Sequence, residues 1–225
     1  KAYFHGQKSY NGVAMITPHR LEDVRSGFSG ELLYNDQAKL LGEQKRIISA
    51  LLKGIRFVNL YVPNGSSIDS DKYEYKLHWL ELLNTYIDCP TKRNEPICLL
   101  GDFNIALEGI DIHNPKRLEG GIMASTRERD ALKRILNKKF QDVFRLFESE
   151  TNHWTWWDYR SGAWNRDKGW RIDHIYCSEE LTNQAKSCFI DKKVRGNNQP
   201  SDHAPVVVEI NWPPDESMIN DDLFL

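Results

Sequence analysis

The sequence predicts an α/β protein with helices layered around a central pair of sheets. Three observations carry that expectation. Short apolar runs bounded by glycine, proline or Asn-Gly recur along the chain, as buried strands do. Stretches with helical spacing of apolar residues are mixed with them. Carboxylates, an amide, a histidine and a tyrosine stand at the ends of the runs, where open α/β sheets bind ligands. At 225 residues, 40% hydrophobic and 28% charged, the chain is long enough for a substantial core in one domain or at most two.

Taken in order, Asn11 to Thr17 is a strand after a turn, preceded by Gly6-Gln7-Lys8. Arg46 to Leu52 and Ile55 to Tyr61 are rich in Ile, Leu and Val, and Lys53-Gly54 between them is a hairpin signature. Pro63 and Asn64-Gly65 stop the second strand. Tyr73, Leu77, Leu80, Leu83 and Ile87 recur at helical spacing, which predicts an amphipathic helix over about 70–87. Ile97 to Leu100 reads as a buried strand that stops at Gly101 and delivers Asp102 and Asn104 to one side, with Phe103 on the other. Ile105 to Ala124 is a long polar loop, a length usually tied to function or mobility. Ser125 followed by Glu128 is a capping box, opening a helix through Leu132, Ile135 and Leu136. His153 to Tyr159 and Trp170 to Tyr176 read as strands, Glu179 to Ala185 as a short helix, and Ser187 to Ile190 and Pro205 to Ile210 as strands. Residues 1–212 are therefore expected to form the domain, and the acidic tail over 213–225 to fray.

No apolar run reaches membrane length, and the start at Lys1-Ala2-Tyr3-Phe4 carries no signal-peptide pattern. The four cysteines (Cys89, Cys98, Cys177, Cys188) show no C-x-x-C spacing. They suggest a reducing cytosol, with neither disulfides nor structural zinc. A net charge of −2 excludes a uniformly basic DNA-coating protein. It suits a nuclease with an acidic metal site and a basic rim, and equally an ordinary cytosolic enzyme.

Beyond Asp102 and Asn104, Asp173 stands in the run Arg171-Ile172-Asp173-His174, Asp202 and His203 precede Val206-Val207-Val208, and Tyr61 closes the hairpin. Each has an ordinary explanation alone: an Asx turn for Asp102 and Asn104, a turn for Asp202, a hydrogen-bonded core histidine for His203, a core aromatic for Tyr61, an arginine partner for Asp173. Together they fit a phosphodiester-cleaving site. Mg²⁺ takes hard oxygen ligands and keeps several waters, so a few carboxylates such as Asp102 and Asp202 suffice. A neutral His203 needs a carboxylate to fix its tautomer, which Asp173 can supply. An amide and a phenol can donate to charge building on phosphate oxygen.

Gly101-Asp102-Phe103-Asn104, Trp170-Arg171-Ile172-Asp173-His174 and Pro200-Ser201-Asp202-His203-Ala204-Pro205, in that order, resemble the endonuclease/exonuclease/phosphatase superfamily. Gly6-Gln7-Lys8 with Gly12-Val13-Ala14, Tyr61-Val62-Pro63-Asn64-Gly65 and Trp156-Trp157-Asp158-Tyr159-Arg160 are similar to its exonuclease III (AP endonuclease) branch in particular. The resemblance implies a deoxyribonuclease I-like four-layer sandwich, two packed mixed sheets flanked by helices. It implies Mg²⁺, with Mn²⁺ as a substitute, and a DNA-repair nuclease that cuts 5′ to abasic sites and digests duplex DNA from its 3′ ends.

Residue by residue, the resemblance implies that Tyr61 assists at the scissile phosphate and that Asp102 is the general acid/base. Asn104 stabilises the transition state, Asp173 orients His203, and His203 polarises the phosphate. Asp102, Asn104, Asp202 and His203 border the metal. Trp156 and Trp170 wall a pocket for a flipped-out, base-free sugar, the cheapest kind to extrude, whereas Trp154 and Trp157 serve equally well as core. Lys8, Arg46, Arg127, Arg160 and Arg171 are candidate contacts to backbone phosphates. The partner is double-stranded DNA with abasic sites or blocked 3′ ends, met by a cytoplasmic, bacterial-type monomer with no membrane association.

The family begins with a strand carrying an Asn, a helix, and a strand ending in a metal-binding Glu within a Gln-Glu-Thr-like motif; neither motif occurs in these residues. The sequence thus reads as N-terminally truncated by a βαβ-sized unit, with its main carboxylate ligand missing and little activity of its own. Two other readings remain open: a superfamily branch acting on phosphoinositides, sphingomyelin or RNA, and a DNA-binding fragment that does not cut.

Overall fold

The computed structural model describes residues 1–9, 11–28, 32, 36–42 and 44–214. The tail expected to fray lies outside the described residues from 215 onward. The chain opens with a ribbon of β1 (Ala2–Gly6) and β2 (Gly12–Ile16), followed by β3 (Glu22–Ser26) and α1 (Asp36–Gly42). The hairpin of β4 (Ile47–Leu52) and β5 (Ile55–Tyr61) turns at Lys53 and Gly54, both at positive φ, as a two-residue turn between twisted strands requires. Next come α2 (Asp71–Lys92), β6 (Ile97–Asp102), α3 (Pro115–Leu118), α4 (Thr126–Leu136), β7 (Phe140–Asp142) and α5 (Val143–Phe147). The last elements are β8 (Asp173–Ser178), α6 (Glu179–Thr182), β9 (Ala185–Ile190), α7 (Lys192–Arg195) and β10 (Val206–Ile210).

Six strands form one mixed sheet in the order β3-β4-β5-β6-β8-β7. Only β5 and β6 run parallel, and α2 supplies the crossover that a parallel pair needs. The other pairs in the sheet are antiparallel. Instead of one continuous second sheet, the described residues show two separate antiparallel ribbons, β1-β2 against β4 and β5, and β9-β10 against β8.

On one face of the large sheet, α2 and α4 bury Trp79, Leu80, Leu83, Leu132 and Ile135 against Val58, Leu60 and Leu99. The expected capping box is present, with Ser125 Oγ accepting from Glu128 N at the start of α4. On the other face, Cys98, Cys177 and Cys188 pack with Val143, Phe144 and Leu181, and all four cysteines are free.

Two expectations need correction. His153 to Tyr159 is not a strand but an irregular segment, stitched by single bridges from Trp156 to Trp170 and to His203. Within it Trp154 and Trp157 are 1% and 0% exposed, core residues against Ala163 and Ala204. The stretch from Ile105 to Ala124, expected as a long polar loop, is largely irregular but packed rather than wholly polar. It buries Ile105, Ala106, Asp111 and Ile112 and contains a 3₁₀ turn and α3, because Asp111 is anchored by two arginines.

Candidate active site

Gly101 sets up the floor of the site. Its φ is +129°, and a Cβ there would lie 2.0 Å from Leu60 O, so only glycine lets β6 run this close to β5. One residue on, Tyr61, Asp102 and Asp173 stand in register across β5, β6 and β8, which places them in one row of the sheet. His203 is brought to that row by the irregular segment: Trp157 N donates to Asp202 O and Ala204 N to Thr155 O. Thr155 Oγ1 in turn accepts from the Ile172 and Asp173 amides, tying the segment to the start of β8.

His203 Nδ1 and Asp173 Oδ2 are 2.8 Å apart. Burial alone pulls the imidazole down, but the hydrogen bond and charge of Asp173, then the charges of Asp102 and Asp202, carry it up to about 9. Asp102 is raised as well, and for a carboxylate burial works in that direction. Burial first and the Asp173 charge second push it up to about 7, against the pull of His203, the Asn104 amide and Lys76. The row thus holds a carboxyl poised near neutrality beside an imidazolium, a pairing suited to moving protons.

Asn104 sits at φ +49°, a left-handed conformation that asparagine tolerates. Its N–H donates to Asp102 Oδ1 (2.8 Å), and its Nδ2 donates to Asp102 Oδ2 (2.9 Å) and Val62 O (3.0 Å). Its Oδ1 accepts from Asn64 Nδ2 at 2.9 Å. Asp202 Oδ2 accepts from Trp156 Nε1 at 2.9 Å. A cavity of about 350 Å³ borders Asp173, His203, Gly101 and Ser201.

Metal-binding chemistry can be judged from these donors. Asp102 and Asp202 offer hard oxygens of the kind Mg²⁺ takes, and the Asp102 anion, disfavoured by burial and by Asp173, would be relieved by a cation. Of the residues expected beside the metal, Asn104 has both side-chain polar atoms committed, Oδ1 to Asn64 and Nδ2 to Asp102 and Val62, and His203 has Nδ1 on Asp173. Among the described residues no three His, Cys, Asp or Glu side chains are grouped to enclose an ion. The residues present fit a cation held by few side chains and completed by water.

The remaining expected residues divide. Tyr61 is half-buried, with the Arg46 guanidinium 4.6 Å from its ring centroid and Arg46 Nη1 on its carbonyl. Trp156 and Trp170 share one apolar cluster with Ile112 and Met123, Trp156 half-buried and Trp170 8% exposed. Lys8 and Arg160 are exposed. Arg127 is exposed and takes Glu74 through both guanidinium arms, at 2.6 and 2.9 Å. Arg171 corrects the expectation of a phosphate contact: it is 1% exposed, with Nε on Asp111 and Nη1 and Nη2 on Asp142, so nothing outside the protein reaches it.

Sequence reasoning missed Asn64, because Asn-Gly already explains itself as a turn. It also missed Lys76, although Tyr73, Lys76, Leu80, Leu83 and Ile87 make one buried stripe of α2 with a cation inside it. That cation on an apolar stripe was the available signal.

The model of the Endonuclease/Exonuclease/phosphatase family matches residues 1–203. The chain is 33% identical over 199 residues to an exodeoxyribonuclease of Bacillus subtilis, covering 84% of this chain and 77% of that protein. It is 32% identical over 219 residues to exodeoxyribonuclease III of Haemophilus influenzae, covering 92% and 79%. Among solved structures, a 3′ phosphatase from Neisseria bound to product DNA hairpin superposes with a TM-score of 0.87 at 34% identity, covering 94% of this chain and 79% of that one. An AP endonuclease from Archaeoglobus fulgidus gives 0.85 at 36%, covering 93% and 79%. The chain belongs to the endonuclease/exonuclease/phosphatase family, in its exonuclease III/AP endonuclease branch.

Proposed function

We propose that the protein is a Mg²⁺-dependent DNA-repair phosphodiesterase that cuts duplex DNA 5′ to abasic sites and removes nucleotides or blocking groups from 3′ ends. The observation that carries the reading is the Asp173–His203 pair held beside Asp102 in one row of strand ends. Its relatives' names and the DNA hairpin bound to the Neisseria protein point the same way.

In the proposed reaction Asp102 takes a proton from the attacking water or returns one to the leaving oxygen, the task of a carboxyl poised near neutrality. The His203 imidazolium, oriented by Asp173, donates to a phosphate oxygen as negative charge builds there. Tyr61 adds a neutral donor at the same place, and Asn104 stabilises the transition state by holding the Asp102 carboxyl through its N–H and Nδ2. Asp102 and Asp202, with Asn104 and His203 beside them, would hold Mg²⁺ or Mn²⁺, which polarises phosphate oxygen as a Lewis acid. Trp156 and Trp170 wall the space for a base-free sugar, and Lys8, Arg46, Arg127 and Arg160 meet backbone phosphates.

The ribbons β1-β2 and β9-β10 are parts of a second sheet in a deoxyribonuclease I-like four-layer sandwich, within one domain over residues 1–212 that works as a cytoplasmic monomer. A Gln-Glu-Thr-type strand would complete that sheet and add a carboxylate to the metal. These 225 residues contain no such motif and are expected to cut weakly by themselves. The test is to incubate the protein, and a form joined to a Glu-bearing strand–helix–strand unit, with a duplex holding one abasic analogue, with and without Mg²⁺. A Mg²⁺-dependent nick in the joined form supports the reading. Binding without a nick in both overturns the catalytic part, and no binding together with release of phosphate from inositol phosphates overturns the DNA part.

A further inference from the structure

Lys76 is fully buried on α2, on a helix face otherwise made of Tyr73, Leu80, Leu83 and Ile87. An ammonium carries three donors, and all three are used: on Glu128 Oε1 at 2.6 Å, on Asn104 O at 2.7 Å and on Asn64 O at 3.2 Å. Glu128 is equally committed, its two oxygens accepting from Met123 N, Ser125 N and Ser125 Oγ. Gly65 leaves room for the lysine stem, since a Cβ there would lie 3.2 Å from Lys76 Cδ.

Stability alone does not call for this arrangement. Replacing a buried ion pair by apolar side chains of similar volume is often neutral or favourable, and the flanking stripe is apolar. What the cation does uniquely is hold two carbonyls on different strand ends, after β5 and after β6. Asn104 takes the left-handed φ of +49° between that carbonyl anchor and its hydrogen bonds to Asp102. Asn64, held by the same ammonium, presents its amide to Asn104 Oδ1.

We infer that Lys76, with Glu128 as its counter-charge, is a positioning residue that fixes the Asn64 and Asn104 turns and so holds the Asn104 amide on Asp102, which sets where the Asp102 carboxyl points. The inference rests on the phosphodiesterase reading for its catalytic consequence and on the geometry alone for the positioning itself.

Lys76→Met alone strands a buried Glu128 and is expected to fold poorly, so the test uses Lys76→Met/Glu128→Gln and Lys76→Arg. In the 225-residue protein, NMR reads hydrogen exchange of the Asn104 side-chain amide. In the joined form, kcat and KM are measured on the abasic duplex. The double variant is expected to keep its thermal midpoint, to lose Asn104 amide protection, and to lose kcat on the order of 10²-fold with KM little changed, the effect of misplacing a reacting group. Lys76→Arg is expected to recover most of both. Unchanged kcat, or unchanged Asn104 protection in the folded double variant, overturns the inference. Should the parent forms fail to cut at all, the function reading falls, while Asn104 protection still decides the positioning.

Discussion

Asp102 ends β6 and Asp111 closes the 3₁₀ turn in the segment that follows it, yet their surroundings drive them in opposite directions. Asp102 is half-buried, faces another carboxylate and is pushed up to about 7. Asp111 is fully buried, which by itself would raise it, but the charge and hydrogen bond of Arg171, helped by His174 and Arg145, hold it down at about 2. One carboxyl has too few cations and is left chemically available. The other is saturated, with Oδ1 on Arg171 and Arg145 and Oδ2 on the Glu108 amide, and serves as a rivet. Burial raises both carboxyls, so it is the balance of nearby charge that sends them in opposite directions.

The sharpest way to break the contrast is at Asp102. Asp102→Asn keeps the size of the side chain and removes the proposed proton carrier, and should lower single-turnover cleavage by about 10²–10⁴-fold with the fold intact. The matching change on the structural side is Arg171→Met, which strands Asp111 and Asp142. It should cost about 3–5 kcal/mol in urea unfolding and leave the salt dependence of DNA binding unchanged, because Arg171 does not face solvent.

Acid offers a gentler probe of the same rivet. Asp111 is depressed from 3.8 to about 2 in the folded state, so its stabilisation is complete above the unfolded value and is lost as pH falls from about 4 through about 2. The expected loss is about 2 kcal/mol across that window, read by urea unfolding at about pH 5 and about pH 2.5. Trp156→Phe tests a smaller contact: it keeps the aromatic wall but deletes the Nε1–H donor to Asp202. About 1 kcal/mol is at stake, visible as a rise of about fivefold in the Mg²⁺ concentration that half-activates cleavage, with little change in thermal midpoint.

The sequence showed the strand ends clearly because chemistry and breakers coincide there: Gly101 before Asp102, Pro205 after His203, Gly65 after Tyr61. The hairpin, α2, and the capping box of α4 were legible for the same local reason. Other features were not, the short elements β1, α1, β7, α5 and α7 among them. β3 reads Glu-Asp-Val-Arg-Ser, a polar edge strand with no alternation to detect. The irregular segment around Trp156 is shaped by distant partners, Trp170 and His203, rather than by its own pattern. Arg171 looked like a phosphate contact because its two carboxylate partners, Asp111 and Asp142, lie far from it in the chain.

The most direct measurement maps the cut made in a duplex with a single abasic analogue by the form joined to a Glu-bearing unit, with Mg²⁺, with and without Asp102→Asn. The expected result is one nick immediately 5′ to the abasic position, absent without Mg²⁺ and nearly abolished by Asp102→Asn. Cleavage that ignores the abasic position, or that survives Asp102→Asn at full rate, would contradict the assignment of this strand-end row as the active site.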